Sequence, residues 1–196
     1  MPLSKIQAES MNLADTYAFT GTVSGAGGLV KLLTQSNVSA QGVYDIGSTY
    51  INSTYDDYFF TMVSVVSSTA DLYARFFVSD TISTGAKYFN HGSRLDQSTF
   101  DSAIDGDNQI EITNGTATTA GGYVTRGFLL NVNSTTLPTV LQTVTARIYG
   151  SANIRGDDVQ GGHDTGSMTD VVNGIRFFMS AGNIEVKSFN LFGVSK

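Results

Sequence analysis

The stretch Tyr58-Phe59-Phe60-Thr61-Met62-Val63-Ser64-Val65-Val66 sets the narrowest limit on what this chain can become. Alternation with period two marks a strand, and here both parities carry apolar side chains. A strand that is partly apolar on both faces suits the centre of a sandwich. The alternation recurs along the chain. Tyr17, Phe19 and Val23 alternate with small polar residues, and Ser24-Gly25-Ala26-Gly27-Gly28 interrupts them as a flexible break. Leu29 to Thr34 reads as a short apolar strand, and Val38 to Ile46 alternates less cleanly. Leu72 to Val78 follows Ser67-Ser68-Thr69-Ala70-Asp71, which reads as a hairpin loop.

Residues 79–121 are the least regular part, with one short strand at Gln109 to Thr113. Loops of that length inside a domain are usually functional or packed on themselves. Three longer strands follow, Gly122 to Val132, Leu141 to Gly150 and Gly174 to Met179. Ser180-Ala181-Gly182-Asn183 reads as a hairpin turn in which Gly-Asn supplies positive φ. In the last strand, Ile184 to Val194, the apolar pairs Ile184/Val186 and Phe189/Leu191 fall on opposite parities, so a bulge is expected near Lys187-Ser188. About eight to ten strands with no helix predict an all-β, antiparallel two-sheet sandwich. A jelly roll is the expected architecture, with a Greek-key sandwich of other topology as the alternative.

Composition agrees. Serine and threonine make up roughly a fifth of the chain and there are 21 glycines, a mixture that favours strands and turns over helices. Only 14% of residues are charged, against about 25% in ordinary domains. The net charge is −6 and the 11 basic residues are scattered, so no clustered phosphate-binding face is present and no nucleic-acid partner is expected. No apolar run of about 20 residues predicts membrane insertion. Residues 1–15 lack an apolar signal-peptide core, so export by the ordinary secretory route is not expected. The absence of cysteine removes disulfides, thiolate metal sites and cysteine nucleophiles together. Rigidity must then come from a large β core or from oligomerisation.

The chain divides into an extended N-terminal arm and linker over 1–27 and a β-sandwich domain over 28–196. In the arm, Leu3, Ile6, Met11 and Leu13 are too sparse for an amphipathic helix. Two readings stand: a frayed terminus, or an anchoring arm that buries those residues on a neighbouring subunit.

Asn173-Gly174-Ile175-Arg176-Phe177-Phe178-Met179-Ser180-Ala181-Gly182-Asn183-Ile184, followed by Phe189-Asn190-Leu191-Phe192-Gly193-Val194, resembles the closing hairpin of a group of virion proteins common in marine tailed bacteriophages. These tail-fibre-like or structural proteins typically end in I-R-F-x-M-S-S-G-N-I and then G-x-I-x-L-Y-G; here Ala181 replaces the second Ser and Phe192 the Tyr. Leu3-Ser4-Lys5-Ile6-Gln7, Phe19 to Gly27, and Ser53-Thr54-Tyr55-Asp56-Asp57-Tyr58 are similar to the opening segments of such modules. Together the matches touch about a third of the chain. The resemblance implies a non-enzymatic virion structural protein, assembled in the bacterial host cytoplasm, with a homotrimer and other tail or capsid proteins as partners. A tail-fibre or appendage role in host attachment is the first expectation, and a capsid decoration or cement protein the alternative.

The side chains offer few chemical sites. Asp101, Asp105 and Asp107 suggest calcium by their oxygen ligands, although their spacing is not that of an EF-hand. His163 with Asp157 and Asp164 suggests a metal, against the plainer reading of a polar loop. Tyr50 and Tyr55, beside Asp56-Asp57, suggest a platform for a host-surface glycan, while Tyr58 reads as core. No nucleophile elbow, Walker loop, dinucleotide fingerprint or zinc-hydrolase helix occurs, and no cofactor is expected. A tail-associated polysaccharide hydrolase is a minor alternative, because sequence spacing does not limit how far apart two carboxylates lie in the fold.

Overall fold

A computed structural model of the chain describes residues 28–66, 69–94, 104–113, 121–149, 153–163 and 169–195. The arm residues Leu3, Ile6, Met11 and Leu13 lie outside the described residues, as do Asp101 and Asp164. Among the described residues there are thirteen strands and no helix. They are β1 (Leu29–Gln41), β2 (Val43–Ile46), β3 (Asp57–Val66), β4 (Leu72–Val78), β5 (Thr81–Ile82), β6 (Tyr88–Arg94), β7 (Ile104–Asp107), β8 (Ile110–Glu111), β9 (Gly122–Leu130), β10 (Val140–Tyr149), β11 (Asn153–His163), β12 (Val172–Met179) and β13 (Ile184–Val194).

The strands form two antiparallel sheets packed as a sandwich. The large sheet has the order β1-β13-β3-β9-β10-β11-β6-β7, and the small sheet β2-β12-β4-β5 with β8 on β4. This order is compatible with the expected jelly roll. Strands of the small sheet are chain neighbours of strands in the large one; in particular β2 follows β1, β4 follows β3, and β12 precedes β13. The two connections read as hairpins, residues 67–71 and 180–183, therefore cross from sheet to sheet. A tight glycine turn serves either geometry, and Gly182 does take the expected positive φ of 73°. The uneven alternation over Val38 to Ile46 has the same origin, because the chain changes sheets between Gln41 and Val43.

The interior explains the sequence pattern. Phe60 and Phe189 from the large sheet meet Phe177 and Tyr44 from the small one. Ring centroids lie 5.3 Å apart for Phe60–Phe177, 6.0 Å for Phe60–Phe189 and 5.3 Å for Tyr44–Phe189. All four are buried. Each such ring contributes about 1.5–3 kcal/mol by burial. The expected bulge is present. Val186 pairs with Ser64 and Ser188 with Val63, so Lys187 is the extra residue, and Ile184, Val186, Phe189 and Leu191 all point inward.

Two glycines make room for rings. A Cβ on Gly127 would stand 2.7 Å from the Phe60 ring, and one on Gly193 would stand 2.5 Å from the Tyr55 ring. Gly193→Ala should therefore push Tyr55 aside and cost about 1–3 kcal/mol in urea unfolding. In a Tyr55→Ala background the same change should cost far less. Equal costs in both backgrounds would reject the contact.

Candidate binding surfaces

The antiparallel register gives the sandwich two unlike ends. At one end, here the root, Leu29 opens β1 beside Val194 closing β13, and the Ser195 N–H donates to the Gly28 carbonyl at 3.0 Å. The segments 47–56 and 131–139 sit at the same end, between β2 and β3 and between β9 and β10. They are knit together. The Tyr58 hydroxyl donates to the Asn52 carbonyl and accepts the Asn52 N–H, both at 2.9 Å, and Asn133 Nδ2 donates to the Asn52 and Tyr55 carbonyls. Asn131 N–H donates to Asp57 Oδ1 at 2.9 Å.

At the opposite end β3, β6 and β10 stop, β9 and β11 begin, and β12 passes to β13. In sequence the segments between these strands are rich in Ser, Thr, Asn, Gly and Ala, as in Thr113-Asn114-Gly115-Thr116-Ala117-Thr118-Thr119 and Ser180-Ala181-Gly182-Asn183. Two of the crossings are stitched to each other. Ser180 N–H donates to the Asp71 carbonyl at 2.9 Å, and Asp71 N–H donates to Ser180 Oγ at 2.8 Å. The Tyr123 hydroxyl donates to the Ala70 carbonyl, and Leu72 N–H donates to Thr113 Oγ1 at 2.9 Å. Ser180, Ala181, Gly182 and Asn183 are exposed on this braced support. Tyr73 stands beside them, edge-on to Phe178 with centroids 5.6 Å apart. Sequence reasoning misses Tyr73; its place in an alternating strand is the one signal that could have found it.

The two outer sheet faces also differ. On the small sheet, Arg176 makes a two-pronged ion pair with Asp45, both contacts at 2.7 Å. Arg75 lies 4.8 Å over the Phe178 ring and donates to the Asn108 carbonyl at 3.0 Å. On the large sheet the outer side chains form cross-strand rows. One runs Lys31, Phe192, Phe59, Phe128, Gln142, Gln160, His91; the next runs Thr34, Asn190, Thr61, Arg126, Val144, Asp158, Ser93. A shallow concavity of about 320 Å³ opens between Phe59, Arg126, Phe128, Gln142 and Val144. Phe128 is 42% exposed and Val124 58%. The second apolar parity of Tyr58–Val66 thus belongs to an open face, although β3 is central in its sheet.

Two of the metal candidates drawn from the sequence, His163 and Asp157, separate in space. His163, expected in a polar loop, ends the interior strand β11 instead. It is buried between the Phe76 and Tyr88 rings, each 5.1 Å away. Asp157 lies six residues earlier on the same strand, about 20 Å away at strand rise, too far to share an ion. It binds Arg147, with Nε to Oδ2 at 2.8 Å, and both side chains are enclosed. Asp105 pairs through its backbone with Phe89, and Asp107 accepts the Asn108 N–H at 2.6 Å. Among the described residues no group of three His, Asp or Glu is placed to hold a metal. Tyr50 and Tyr55 are half-buried at the root end, where Tyr55 packs on Gly193 and edge-on to Tyr58 at 5.9 Å. They sit at the opposite end from the Ser180-Ala181-Gly182-Asn183 crossing.

Burial raises the phenol pKa of Tyr44, Tyr58 and Tyr88. Tyr73 is pushed up to about 12 by burial first and by the Glu111 and Asp71 carboxylates second. A folded value above the free value of about 10 gives stability that is complete below pH 10 and lost as pH rises through the folded value. The melting temperature should accordingly hold to about pH 10 and fall between pH 10 and 12, with tyrosinate absorbance appearing in the same window. A flat melting profile to pH 12 would reject this.

The enclosed ion pair supplies a second test. Asp157→Ala strands a buried guanidinium and should cost about 3–5 kcal/mol, whereas Arg147→Met with Asp157→Leu should cost much less than the sum of the single changes. Additive losses in urea unfolding would contradict the coupling. No family model matches this chain, and neither a curated protein nor a solved structure matches it.

Proposed function

We propose that this chain is a non-enzymatic structural protein of a tailed-bacteriophage particle, a tail-fibre or appendage component that aids host attachment. The two-ended layout carries the reading. Both limits of the sandwich meet at the root, and the far end presents the exposed Ser180-Ala181-Gly182-Asn183 crossing on hydrogen-bonded supports. Such a module is held at one end and offers the other. The motif resemblance over residues 173–194 supports the same assignment.

Hydroxyls, amides and an aromatic edge suit weak contact with a neutral host-surface glycan, and a homotrimer in many copies converts weak contacts into avidity. Capsid decoration is the second reading. It is favoured by the chain's departure before Gly28 at one corner, which suits a strap onto a neighbouring subunit.

Quantitative mass spectrometry of purified particles against the major capsid protein separates the two. A few to some tens of copies are expected, and hundreds would make this a capsid protein. Particles carrying Tyr73→Ala with Asn183→Ala should incorporate the protein normally and adsorb to host cells about tenfold more slowly. Unchanged adsorption would remove the attachment role.

A further inference from the structure

Exposed apolar side chains recur along the outer face of the large sheet, Val63, Val124 and Ile154 among them, but its aromatic rings gather near the root. Phe192, Phe59 and Phe128 stand side by side in one cross-strand row near the root, and in the row outside it Leu29 and Val194 lie beside Asp57, with Leu130 and Val140 paired further along the root. Leu29 is 49% and Phe128 42% exposed. Phe59 lies 5.1 Å from Phe128 and 6.0 Å from Phe192, centroid to centroid, so the rings form one strip across β13, β3 and β9. The next row inward is mostly polar, with Thr34, Asn190, Thr61, Arg126 and Asp158. The aromatic strip therefore runs across β13, β3 and β9 as a band bordered inward by this polar row. No strand among the described residues crosses it.

The chain meets this band where residues 1–27 join it. Gly28 stands one residue before Leu29, at the corner the band starts from. Immediately upstream, Ser24-Gly25-Ala26-Gly27 can reverse direction, since glycine adopts either sign of φ. Before that, Thr16-Tyr17-Ala18-Phe19-Thr20-Gly21-Thr22-Val23 places Tyr17, Phe19 and Val23 on one parity and small or polar residues on the other. Extended, this segment covers about 26 Å, and the band from β1 to β10 is about 19 Å wide at ordinary strand spacing. A four-residue turn from Gly28 brings Val23 within about 16 Å, enough to start the crossing.

We propose that residues 16–23 of the same chain fold back at the Gly25–Gly28 turn and lie across this band, covering Phe192, Phe59 and Phe128 with Tyr17, Phe19 and Val23. Attachment through a short linker gives the segment an effective concentration of the order of millimolar at its own band, which favours it over the arm of another copy. Leu3, Ile6, Met11 and Leu13 stay beyond the strap, available to anchor elsewhere. The strap does not depend on the attachment role and fits a tail or a capsid protein equally.

Two measurements on the full-length chain test it. First, amide hydrogen exchange over residues 17–23 should be slow in the wild type and about tenfold faster or more in Phe128→Ser, with β12 and β13 unchanged. Fast exchange in the wild type would overturn the proposal. Second, a photo-crosslinking benzoyl-phenylalanine at position 19 should join peptides 57–66 or 122–130 in an equimolar mixture of light and heavy-isotope protein, giving only all-light and all-heavy products. Mixed products would assign the face to a second copy, and no crosslink to these strands would leave it uncovered; either result overturns the strap.

Discussion

Phe60, Phe189, Phe177 and Tyr44 form the contact on which the remaining architecture depends. Two of these rings stand on each sheet, and their close edge and tilted contacts clamp the sheets face to face. Gly127 sits directly opposite Phe60 in the neighbouring strand and leaves the space its ring needs. With these rings in place, β1-β13-β3 lies over β2-β12-β4 in the same order. Consecutive strands then face each other across the core instead of pairing edge to edge. Short crossings at Gly42, 67–71 and 180–183 follow from that arrangement, and so does their collection at one end.

The large sheet continues through β10, β11, β6 and β7, where β4 and β8 of the small sheet face it, and its inner face there is different in kind. Thr125, Thr143, Thr145, Arg147 and Asp157 are buried where the first half carries phenylalanines. Thr125 and Thr145 share a hydroxyl contact of 3.1 Å, and Arg147 satisfies Asp157. Residues 109–111 close over this half. Ile110 lies against Gly161, and Asn90 holds the segment by donating to the Gln109 carbonyl and accepting the Glu111 N–H. Such an interior gains little net stability from its ion pair, but it penalises any shift in register that separates the partners.

How much of this is legible in the sequence follows from which strands carry their own signal. The opposite parities of Ile184/Val186 and Phe189/Leu191 imply the bulge, and the bulge is at Lys187. Tyr58 reads as core and is fully buried. By contrast, β6 and β11, Tyr-Phe-Asn-His-Gly-Ser-Arg and Asn-Ile-Arg-Gly-Asp-Asp-Val-Gln-Gly-Gly-His, have neither clean alternation nor a run of strand-favouring residues. Their strand state is imposed from outside. β11 pairs with β10 on one side and β6 on the other, and Gly161 and Gly162 are required by Ile110, Asn90, Phe89 and the Thr139 carbonyl. A pattern read along one chain cannot register contacts made by residues fifty positions away. The same limit hides the candidate surfaces, since Tyr73 meets Ser180 only because the crossings are stitched together at Asp71 and Ser180.

The two outer faces show what the sandwich does alone and what it leaves to a partner segment. The small sheet closes its own face, with Asp45 holding Arg176 and the Phe178 ring covered by Arg75. Charged groups there meet aromatic ones within one sheet. The large sheet has an aromatic row as well, but no charged side chain among the described residues covers its rings. Lys31 stands at the edge of the phenylalanine row and Arg126 one row inward, beside Thr61 and Val144. An apolar strip left open beside the point where the chain enters costs solubility unless something covers it. The simplest cover is a segment already tethered there, so an amphipathic upstream stretch, a glycine turn and an open band read as one unit.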